Sequence, residues 1–285
     1  MSALRRTRDE SENVSGSDAL VIVAKYPEPG AVKTRLAALI GAEWAANLYR
    51  AFLGDLAERF SAAQCVDGYR LRWACAPGLR PPGALRRVVG NGGVISAQRG
   101  VDFAERLYHI ACDMRLAGYR RLIIMSSDSP HLPTGVVSAA FAALDTADVA
   151  LGPAEDGGYY LIGLTLDGCV GGPDAPPDLF RGIRMSTATV CTETVDRAHA
   201  LGLSTALLAP TFDIDEAPDL ARLWDALRHA DERLAPRTRL ALAALLPQIA
   251  PAALLPAYAG LTVPAFEDGR HVESEDSFGD LDSRR

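Results

Sequence analysis

The chain has 285 residues, a formal net charge of −7, 48% hydrophobic residues and 23% charged residues. These values are ordinary for a globular protein with one large domain or two small ones. The negative charge argues against a general affinity for nucleic acid, so an anionic ligand needs a local basic pocket. The five cysteines include no Cys-x-x-Cys pair, which gives no zinc signature and fits a reducing cytoplasm.

The two ends of the chain differ in composition from its middle. Residues 1–18 are polar and charged without a signal-peptide pattern, and residues 266–285 are acidic and poor in apolar side chains, so both segments are expected to be disordered. The main domain is expected at 19–232, and a helical extension at 233–265. No apolar run reaches the roughly 18 residues that span a bilayer. We therefore expect a cytoplasmic protein without membrane contacts, and its oligomeric state stays open.

The first candidate site is the loop after the first predicted strand. Residues 19–24 form an apolar run bounded by turn residues, which is typical of a buried strand in a parallel sheet. A basic loop rich in Pro and Gly follows, and a helix is predicted to begin near Thr34. Open α/β sheets bind ligands outside the carboxyl ends of their strands, and helix N-termini favour anions. The loop is therefore either a phosphate site or a solvated basic turn. Its candidate binding residues are Lys25, Gly30, Lys33, Thr34 and Arg35.

Apolar residues at helical spacing continue from 34 to 62, as one long helix or as two with a bend near Gly41. The later pattern alternates strands with helices, which predicts a mostly parallel α/β sheet with helices on both faces. Residues 77–93 are predicted to be loop, and a later helix is expected to be capped by Ser186 or Thr187. Further strands are predicted at 69–76, 94–97, 121–125, 148–152 and 204–208, and further helices at 101–116, 134–144, 186–201, 237–246 and from about 216.

Asp128 follows the short buried strand at 121–125, in the turn Ser-Ser-Asp-Ser-Pro. Asp and Ser often cap helices, but Thr134 is better placed to begin the next helix, which leaves Asp128 free for another role. The carboxyl end of this strand faces the same crevice as the basic loop. Mg²⁺ is commonly held by one or two carboxylates together with substrate phosphates, so Asp128 is a candidate metal ligand.

Three further segments carry candidate residues. Glu155–Gly158 is a turn signal before an apolar run, which predicts a hairpin tip whose glycines would also let the backbone approach a ligand. The acidic pair of this turn could bind sugar hydroxyls or act as a base. Asp213 and Asp215 either cap the helix near 216 or form a metal-binding pair, because alternate residues of an extended segment point the same way. Arg106, near a helix start, is either solvated or a site residue.

Several of these segments together resemble a known bacterial family. They are AKYPEPGAVKTRL (24–36), SDSPHLP (127–133), GPAEDGGYYLIGL (152–164), MST (185–187) and DID (213–215). The region from 19 to 230 resembles the radical-SAM/selenodomain-associated transferases, a family of glycosyltransferases of GT-A fold. The resemblance implies an α/β fold, namely a Rossmann-like three-layer α/β/α sandwich of the nucleotide-diphospho-sugar transferase (GT-A) type with a mostly parallel sheet.

The resemblance also implies roles for the site residues. Asp128 stands where GT-A enzymes place an acidic motif that holds Mg²⁺ or Mn²⁺, although the strict Asp-x-Asp is absent here. Met185 replaces the Trp that the family usually has before its Ser-Thr pair. Together with the residue patterns, the resemblance gives these residues four expected roles. Catalysis is expected of Asp128, Asp156 and Lys33, and metal binding of Asp128, Asp213 and Asp215. Nucleotide or phosphate binding is expected of Lys25, Gly30, Lys33, Thr34, Arg35 and Arg106, and acceptor or sugar binding of Glu155, Asp156, Gly157, Gly158 and Tyr159.

Two reactions fit these residues. The first is glycosyl transfer from a nucleoside-diphosphate sugar to a small-molecule acceptor, in which cations and a metal stabilise the negative charge that develops on the leaving diphosphate. The second is nucleotidyl transfer from an NTP to a phosphorylated small molecule with release of pyrophosphate. It is suggested by Lys25 and the segment Lys-Thr-Arg-Leu, which also resemble the start of 2-phospho-L-lactate guanylyltransferase. A third interpretation is a non-catalytic nucleotide-binding pocket, which the missing Asp-x-Asp favours.

Overall fold

One seven-stranded sheet forms the centre of the part of the chain that the computed structural model describes, residues 17–167 and 175–249. Its strands are β1 (Asp18–Ala24), β2 (Tyr69–Cys75), β3 (Val94–Ala97), β4 (Arg121–Met125), β5 (Val149–Pro153), β6 (Tyr159–Thr165) and β7 (Thr205–Leu207). The sheet order is β3-β2-β1-β4-β6-β5-β7. Of these seven strands only β6 is antiparallel to its neighbours, so the predicted mostly parallel sheet is confirmed.

Helices cover both faces of the sheet. They are α1 (Thr34–Ile40), α2 (Ala42–Asp67), α3 (Arg86–Val89), α4 (Phe103–Leu116), α5 (Gly135–Ala143), α6 (Val190–Ala200), α7 (Ala217–Arg228) and α8 (Pro236–Ile249). One apolar core lies under α1, α2, α5, α7 and α8, and a second apolar core lies under α4 and α6. The result is the three-layer α/β/α sandwich that the alternation of strands and helices predicts.

The sequence of β1 shows why it becomes a central strand. Leu20 and Ile22 pack into the larger core, whereas Ala19 and Val21 pack into the smaller core on the opposite face. Successive side chains of a strand point to opposite faces, so a strand that is covered on both sides is apolar throughout. β1 pairs in parallel with β2 and β4, and the carboxyl ends of all three strands therefore meet at one edge of the sheet.

Gly41 divides the long helical pattern into two helices, α1 and α2. Its φ of +83° lies in the region that favours glycine, and its N–H donates to the carbonyl of Ala37 at 2.9 Å, which ends α1. The next residue begins α2. Of the two alternatives that the sequence left open, the structure confirms the pair of helices with a break at Gly41.

The prediction that residues 77–93 are loop is wrong in part. Pro82–Leu85 form a 3₁₀ turn, and α3 follows it directly. Leu85 and Val89 are buried in the larger core, which is why this segment adopts helical turns. Their four-residue spacing is that of one helix face, but the surrounding Pro, Gly and Arg hide it in the sequence.

The predicted start of the helix at 186–201 is wrong by four residues. α6 begins at Val190, with Thr189 at its N-cap position. Ser186 has a left-handed backbone with φ +64°, which interrupts the helical path, so neither Ser186 nor Thr187 caps the helix. The segment before α6 is therefore irregular, and its side chains do not follow the spacing of a helix.

Of the two alternatives for Asp213 and Asp215, the structure excludes the capping of α7. Glu216 holds the N-cap position and forms a capping box with Asp219, whose side chain accepts the N–H of Glu216 at 2.8 Å. The sequence pattern of the box is present, with an acidic residue three positions after the cap, but its first member is Glu rather than the usual Ser or Thr. The two preceding aspartates are thereby available to the site.

Parts of the expected domain organisation lie outside the described residues. These parts are the leader up to residue 16, the acidic tail at 266–285 and the portion of the helical extension from residue 250 onward. α8 lies within the expected extension at 233–265. Within the described ranges, no helix has both the length and the apolar character needed to cross a membrane.

α8 docks on α2 through a buried carboxylate. Asp55 of α2 is 2% exposed and accepts the backbone N–H of Arg237 at 3.0 Å and of Thr238 at 2.7 Å. These are first-turn amides of α8, for which no carbonyl within the helix is available. The carboxylate therefore caps α8 from a neighbouring helix, and its negative charge lies at the positive end of the helix dipole.

Asp55→Ala should lower the free energy of unfolding by about 2–3 kcal/mol, because it leaves two amides at the start of α8 without an acceptor. Urea denaturation followed by circular dichroism measures this change. Glu58→Ala is the matched control on the same helix, since it removes an exposed partner of Arg237 and should change stability by less than about 0.5 kcal/mol. Equal effects of the two variants would show that Asp55 does not stabilise α8.

Candidate active site

A cavity of about 490 Å³ lies at the carboxyl edge of β1 and β4. This volume is typical of small-molecule sites. The lining includes the ends of both strands, the start of α1 and the first turn of α4. It also includes the β5–β6 turn and the segments before α6 and α7. The residues that the sequence predicts for the site and that line the cavity are Lys25, Lys33, Thr34, Arg35, Arg106, Asp128, Asp156, Gly158, Tyr159, Asp213 and Asp215.

Three residues predicted for the site do not belong to this lining. Gly30 lies in the loop after β1 with φ +78°, so it meets a backbone requirement of the turn. Glu155 forms an ion pair with Arg222, in which Oε1 and Nη2 are 2.8 Å apart. Gly157 lies between Asp156 and Gly158, and a Cβ at this position would meet Ala188 in the segment before α6.

Lys33 joins the basic loop to the acidic segments. Its side chain is only 4% exposed, and its Nζ lies 2.5 Å from Asp128 Oδ1 and 3.0 Å from Asp215 Oδ1. Asp128 follows β4 and Asp215 precedes α7, so one ammonium group connects three separate segments of the chain. The ring of Tyr49 also faces this group, with 5.8 Å between Nζ and the ring centroid.

Both charge and backbone geometry constrain Lys33. Burial lowers the pKa of Lys33, but the attraction of Asp128 and Asp215 outweighs burial and holds this pKa above its ordinary value. The ammonium therefore stays charged at physiological pH. Lys33 has a left-handed backbone with φ +47° at the N-cap of α1, a conformation that costs about 1 kcal/mol for a residue other than glycine. The two carboxylates hold the residue in this strained position.

The positions of lysine in the chain indicate the site without any sequence motif. Among the 29 lysine and arginine residues, Lys25 and Lys33 are the only lysines, and both line the cavity. Lysine presents a compact point charge, whereas arginine presents a planar fork of five N–H donors, so the two residues are not interchangeable at a close contact. A chain that otherwise uses arginine throughout has lysine at this cavity alone.

Tyr49 is a site residue that the sequence pattern does not reveal, because its position on α2 has the spacing of a core residue. Its hydroxyl accepts the backbone N–H of Lys25 at 3.2 Å and lies 2.7 Å from Ser127 Oγ. Ser127 Oγ in turn donates to the carbonyl of Val23 at 2.8 Å. Burial and the negative charge of Asp128 raise the pKa of Tyr49 to about 12, so the hydroxyl stays neutral. These hydrogen bonds fix the ends of β1 and β4 side by side.

Asp213 is held close to the turn after β4. Its Oδ1 lies 2.5 Å from Ser129 Oγ, and the N–H of the next residue, Ile214, donates to the carbonyl of Asp128 at 3.1 Å. Burial, followed by the negative charge of Asp128, raises the pKa of Asp213 to about 7. Asp213 therefore exchanges its proton near neutral pH, which is the range in which a general acid or base is most effective.

A stack of three side chains outside the cavity lining supports the segment that carries Asp213. The rings of His131 and Phe212 are stacked with centroids 4.3 Å apart, and the Arg222 guanidinium lies 4.1 Å from the Phe212 centroid. Burial and neighbouring guanidinium groups lower the pKa of His131 to about 4, so its imidazole is neutral at physiological pH. Because Glu155 pairs with Arg222, Glu155 contributes to this support.

The β5–β6 turn packs tightly on the segment before α6. A Cβ on Gly157, which has φ +89°, would stand 2.0 Å from the carbonyl oxygen of Ala188, so only glycine allows this approach. The carbonyl of Gly157 also accepts the N–H of Cys191 at 2.9 Å. The contact brings Asp156, whose carboxylate accepts the N–H of Gly158 at 2.9 Å, to the same cavity as Ser186.

The aspartates of the lining have the chemistry of a site that shares a divalent cation with a substrate. Among the described residues, no group of three His, Cys, Asp or Glu side chains is arranged to hold a metal unaided. Asp128 and Asp213 lie close enough for the charge of Asp128 to raise the pKa of Asp213. A cation between them would relieve this repulsion. Mg²⁺ prefers such oxygen donors and completes its coordination with phosphates and water, so these residues fit a cation that arrives with a phosphate.

The sheet order and the position of the cavity define an α/β protein with the fold of the nucleotide-diphospho-sugar transferases. The crystal structure of a provisionally named nucleotide-diphospho-sugar transferase from Desulfovibrio desulfuricans G20 is similar over 82% of this chain and 98% of its own, with 33% sequence identity and a TM-score of 0.73. A cytidylyltransferase from Leptospira borgpetersenii serovar Hardjo-bovis (strain JB197) is similar over 88% of this chain and 100% of its own, with 12% identity and a TM-score of 0.50. The second likeness is one of fold alone.

The chain belongs to the family described as "Uncharacterized protein conserved in bacteria (DUF2064)", which matches residues 55–187. The expected fold type is confirmed by the structure from Desulfovibrio desulfuricans G20. A comparison with curated proteins gives no match. The association with radical-SAM and selenodomain proteins stays a prediction from the sequence.

The free energy of unfolding should depend on pH through Asp213. The pKa of this group is about 7 in the folded protein and 3.8 in an unfolded chain, so the folded state binds more protons between these values and stability falls as pH rises through this window. Asp213→Asn should remove the fall and should be more stable than wild type at pH 8, by on the order of 2 kcal/mol.

Urea denaturation with a chelator present measures this dependence without interference from metal ions. Asp225→Asn, which changes an exposed carboxylate on α7, is the control and should follow the wild-type curve. If Asp213→Asn also follows the wild-type curve from pH 4 to pH 8, the pKa of Asp213 is not raised.

Proposed function

We propose that the protein transfers a glycosyl group from a nucleoside-diphosphate sugar to a small-molecule acceptor. The observation that carries this proposal is the buried ammonium of Lys33, which stays charged in a cavity that also contains Lys25, Arg35 and Arg106. The lining sets these four cations against Asp128, Asp156, Asp213 and Asp215, so in a chain with a net charge of −7 the cavity is locally close to neutral. Such a balance suits an anionic ligand that enters with a divalent cation. The N-terminus of α1 lies in the same lining and favours a phosphate group.

The related structure from Desulfovibrio desulfuricans G20 supports a nucleotide sugar as the donor, because its name describes a nucleotide-diphospho-sugar transferase and it is 33% identical to this chain. The likeness to the cytidylyltransferase supports the fold and adds no argument about the reaction. The choice of reaction therefore depends on the residues of the cavity.

In glycosyl transfer, the bond between the anomeric carbon and the β-phosphate oxygen breaks, and the acceptor oxygen forms a new bond to that carbon. Negative charge grows on the leaving nucleoside diphosphate, and Lys33 with Lys25 and Arg35 would stabilise it. The proton of the acceptor hydroxyl passes to a carboxylate. Asp156 is the proposed base, since it lines the cavity on the β5–β6 turn and is not one of the carboxylates that pair with Lys33.

Asp128, Asp213 and Asp215 are the proposed ligands of Mg²⁺ or Mn²⁺. A divalent cation held there would supply additional positive charge to the diphosphate. Lys33 contacts Asp128 and Asp215 directly, so the lysine and these carboxylates would act on the same phosphate groups.

Nucleotidyl transfer is the second candidate, and the position of Lys33 favours it. The loop that holds Lys33 leads directly from β1 to α1. In the proposed reaction, the lysine and the start of α1 would together bind the three phosphates of an NTP. In this reaction an oxygen of a phosphorylated acceptor attacks the α-phosphate of an NTP. The bond to the β-phosphate oxygen breaks, and pyrophosphate leaves.

Product analysis distinguishes the two reactions. The full-length protein is incubated with UDP-, GDP-, CDP- and ADP-sugars and with the four NTPs, each together with a panel of hydroxyl-bearing and phosphorylated small molecules as acceptors and with Mg²⁺ or Mn²⁺, and the products are identified by ³¹P NMR. Release of a nucleoside diphosphate from a sugar nucleotide is the expected result. Release of pyrophosphate from an NTP would replace the proposal by the second candidate. If no nucleotide raises the melting temperature, both reactions are contradicted.

Lys33→Met should lower turnover about 100-fold, which corresponds to about 3 kcal/mol of lost transition-state stabilisation. The variant should also lose the increase in melting temperature that the nucleotide causes. Arg87→Met removes an exposed cation of α3 that does not line the cavity, and it should retain wild-type turnover. Turnover of Lys33→Met within a few-fold of wild type would argue that the ammonium does not act on the phosphates.

Asp128→Ala should abolish turnover and leave the fold intact, because the side chain is 36% exposed at the cavity and Lys33 keeps Asp215 as a partner. Circular dichroism and urea denaturation check the fold, and the product assay checks turnover. Near-wild-type turnover would assign the metal to Asp213 and Asp215 alone, or would remove the metal from the mechanism.

A further inference from the structure

We propose that Lys33 occupies the cation position of the site and yields it to a divalent cation only when a phosphate accepts its ammonium group. Metal and phosphate therefore enter the cavity together, and neither binds well alone. This role of Lys33 rests on the proposed function, which supplies the phosphate-bearing donor and the carboxylate ligands of the metal. The new element is a competition between the ammonium and the metal for the same carboxylates.

The carboxylate oxygens that a metal would bind already have partners. Lys33 Nζ lies 2.5 Å from Asp128 Oδ1 and 3.0 Å from Asp215 Oδ1, so one cation bridges the turn after β4 and the segment before α7. The second oxygen of Asp128, Oδ2, accepts the hydroxyl of Ser126 at 3.2 Å. In agreement with this, the described part of the chain contains no group of three His, Cys, Asp or Glu side chains that is ready to hold a metal.

The ammonium and a divalent cation cannot share these oxygens at low cost. Two cations on the same pair of oxygens lie within a few ångströms of each other, and their repulsion is weakly screened because the Lys33 side chain is only 4% exposed. A metal must therefore displace the ammonium. The displaced ammonium then loses both carboxylate partners, and an unpaired charge in a buried place is strongly unfavourable. A phosphate oxygen supplies the missing partner, which couples metal binding to phosphate binding.

The residue type at position 33 suits such an exchange of partners. Lysine carries a point charge on a flexible stem, so it can turn from one anion to another, whereas the planar fork of arginine holds a carboxylate in a fixed geometry. Lys33 is one of only two lysines in a chain that otherwise uses arginine. Its Nζ also lies 5.8 Å and 6.0 Å from the ring centroids of Tyr49 and Phe52, and these rings attract a cation whether or not the carboxylates bind it.

The first test measures the affinity of the full-length protein for Mn²⁺ without nucleotide, from the electron paramagnetic resonance signal of free Mn²⁺. Wild type should bind Mn²⁺ weakly, and Lys33→Met should bind it about 10-fold or more tightly, because the competing cation is gone. The same variant should bind nucleotide less well. These opposite changes are specific to the proposed competition, since a residue that merely supports the cavity would weaken both kinds of binding when it is replaced.

Lys25→Met is the matched control. It also removes one lysine charge from the cavity lining, but within the described structure the ion pairs of Asp128 and Asp215 are with Lys33 and not with Lys25. Its affinity for Mn²⁺ should stay within about three-fold of wild type, because only a charge screened by solvent is lost. An increase in Lys33→Met no larger than that in Lys25→Met would contradict the competition.

A second measurement uses the wild-type protein and does not depend on the folding of Lys33→Met. Because the chain has two lysines, labelling with ¹⁵N-lysine gives two side-chain ammonium signals in NMR, and Lys25→Met identifies that of Lys33. Mg²⁺ and inorganic pyrophosphate together should shift the Lys33 signal at concentrations at which either alone leaves it unchanged. A shift caused by Mg²⁺ alone would overturn the coupling, and so would an unchanged signal when both are bound.

Failure of this role for Lys33 and failure of the proposed function give different results. If no nucleotide raises the melting temperature of wild type with or without a divalent cation, the proposed function is wrong and the role of Lys33 falls with it. If nucleotides bind, but Lys33→Met gains no affinity for Mn²⁺ and the ammonium signal of Lys33 does not move, the competition alone is overturned. Lys33 is then a permanent link between Asp128 and Asp215.

Discussion

A buried ammonium group between two carboxylates joins three segments that line the cavity at one edge of the sheet. Lys33 comes from the loop after β1, Asp128 from the turn after β4 and Asp215 from the segment before α7. Removing Lys33 would leave two neighbouring carboxylates without the cation between them, whereas removing one of the carboxylates leaves Lys33 paired with the other. The same attraction keeps Lys33 in its left-handed backbone conformation. A phosphate group that enters the cavity competes with the carboxylates for this ammonium.

Much of the fold could be predicted because it follows from local periodicity. A continuous apolar run identified β1, and the alternation of strands and helices identified the sheet and its two helical layers. The position of the site followed from topology, since the carboxyl ends of parallel strands meet at one edge. For that reason the turns after β1 and β4 could be placed together although more than a hundred residues lie between Lys25 and Asp128. The structure brings both to one cavity.

What the sequence could not predict depends on contacts between distant segments. Tyr49 has the spacing of a core residue, and only its packing against Lys25 and Ser127 places it at the site. Glu155 has the composition of a ligand-binding turn, but its partner is Arg222, 67 positions away in the chain. Gln98 stands in a segment without a motif, and only the folded chain brings it to the cavity lining. The caps of α6 and α7 could not be placed from the sequence, because the residues next to a cap resemble caps themselves.

The antiparallel course of β6 has a consequence for how relatives of this protein can diverge. β5 and β6 form a hairpin, and its turn reaches the cavity edge without being a link between parallel strands. Changes in its length or sequence leave the pairing of β1, β2 and β4 untouched. The part of the cavity formed by the β5–β6 turn, which includes Asp156, can thus vary separately from the part that follows β1 and β3, which includes Lys33 and Gln98. Under the proposed glycosyl transfer, evolution can therefore assign a new recipient molecule to this scaffold while the donor, and the way in which the donor is held, stay the same.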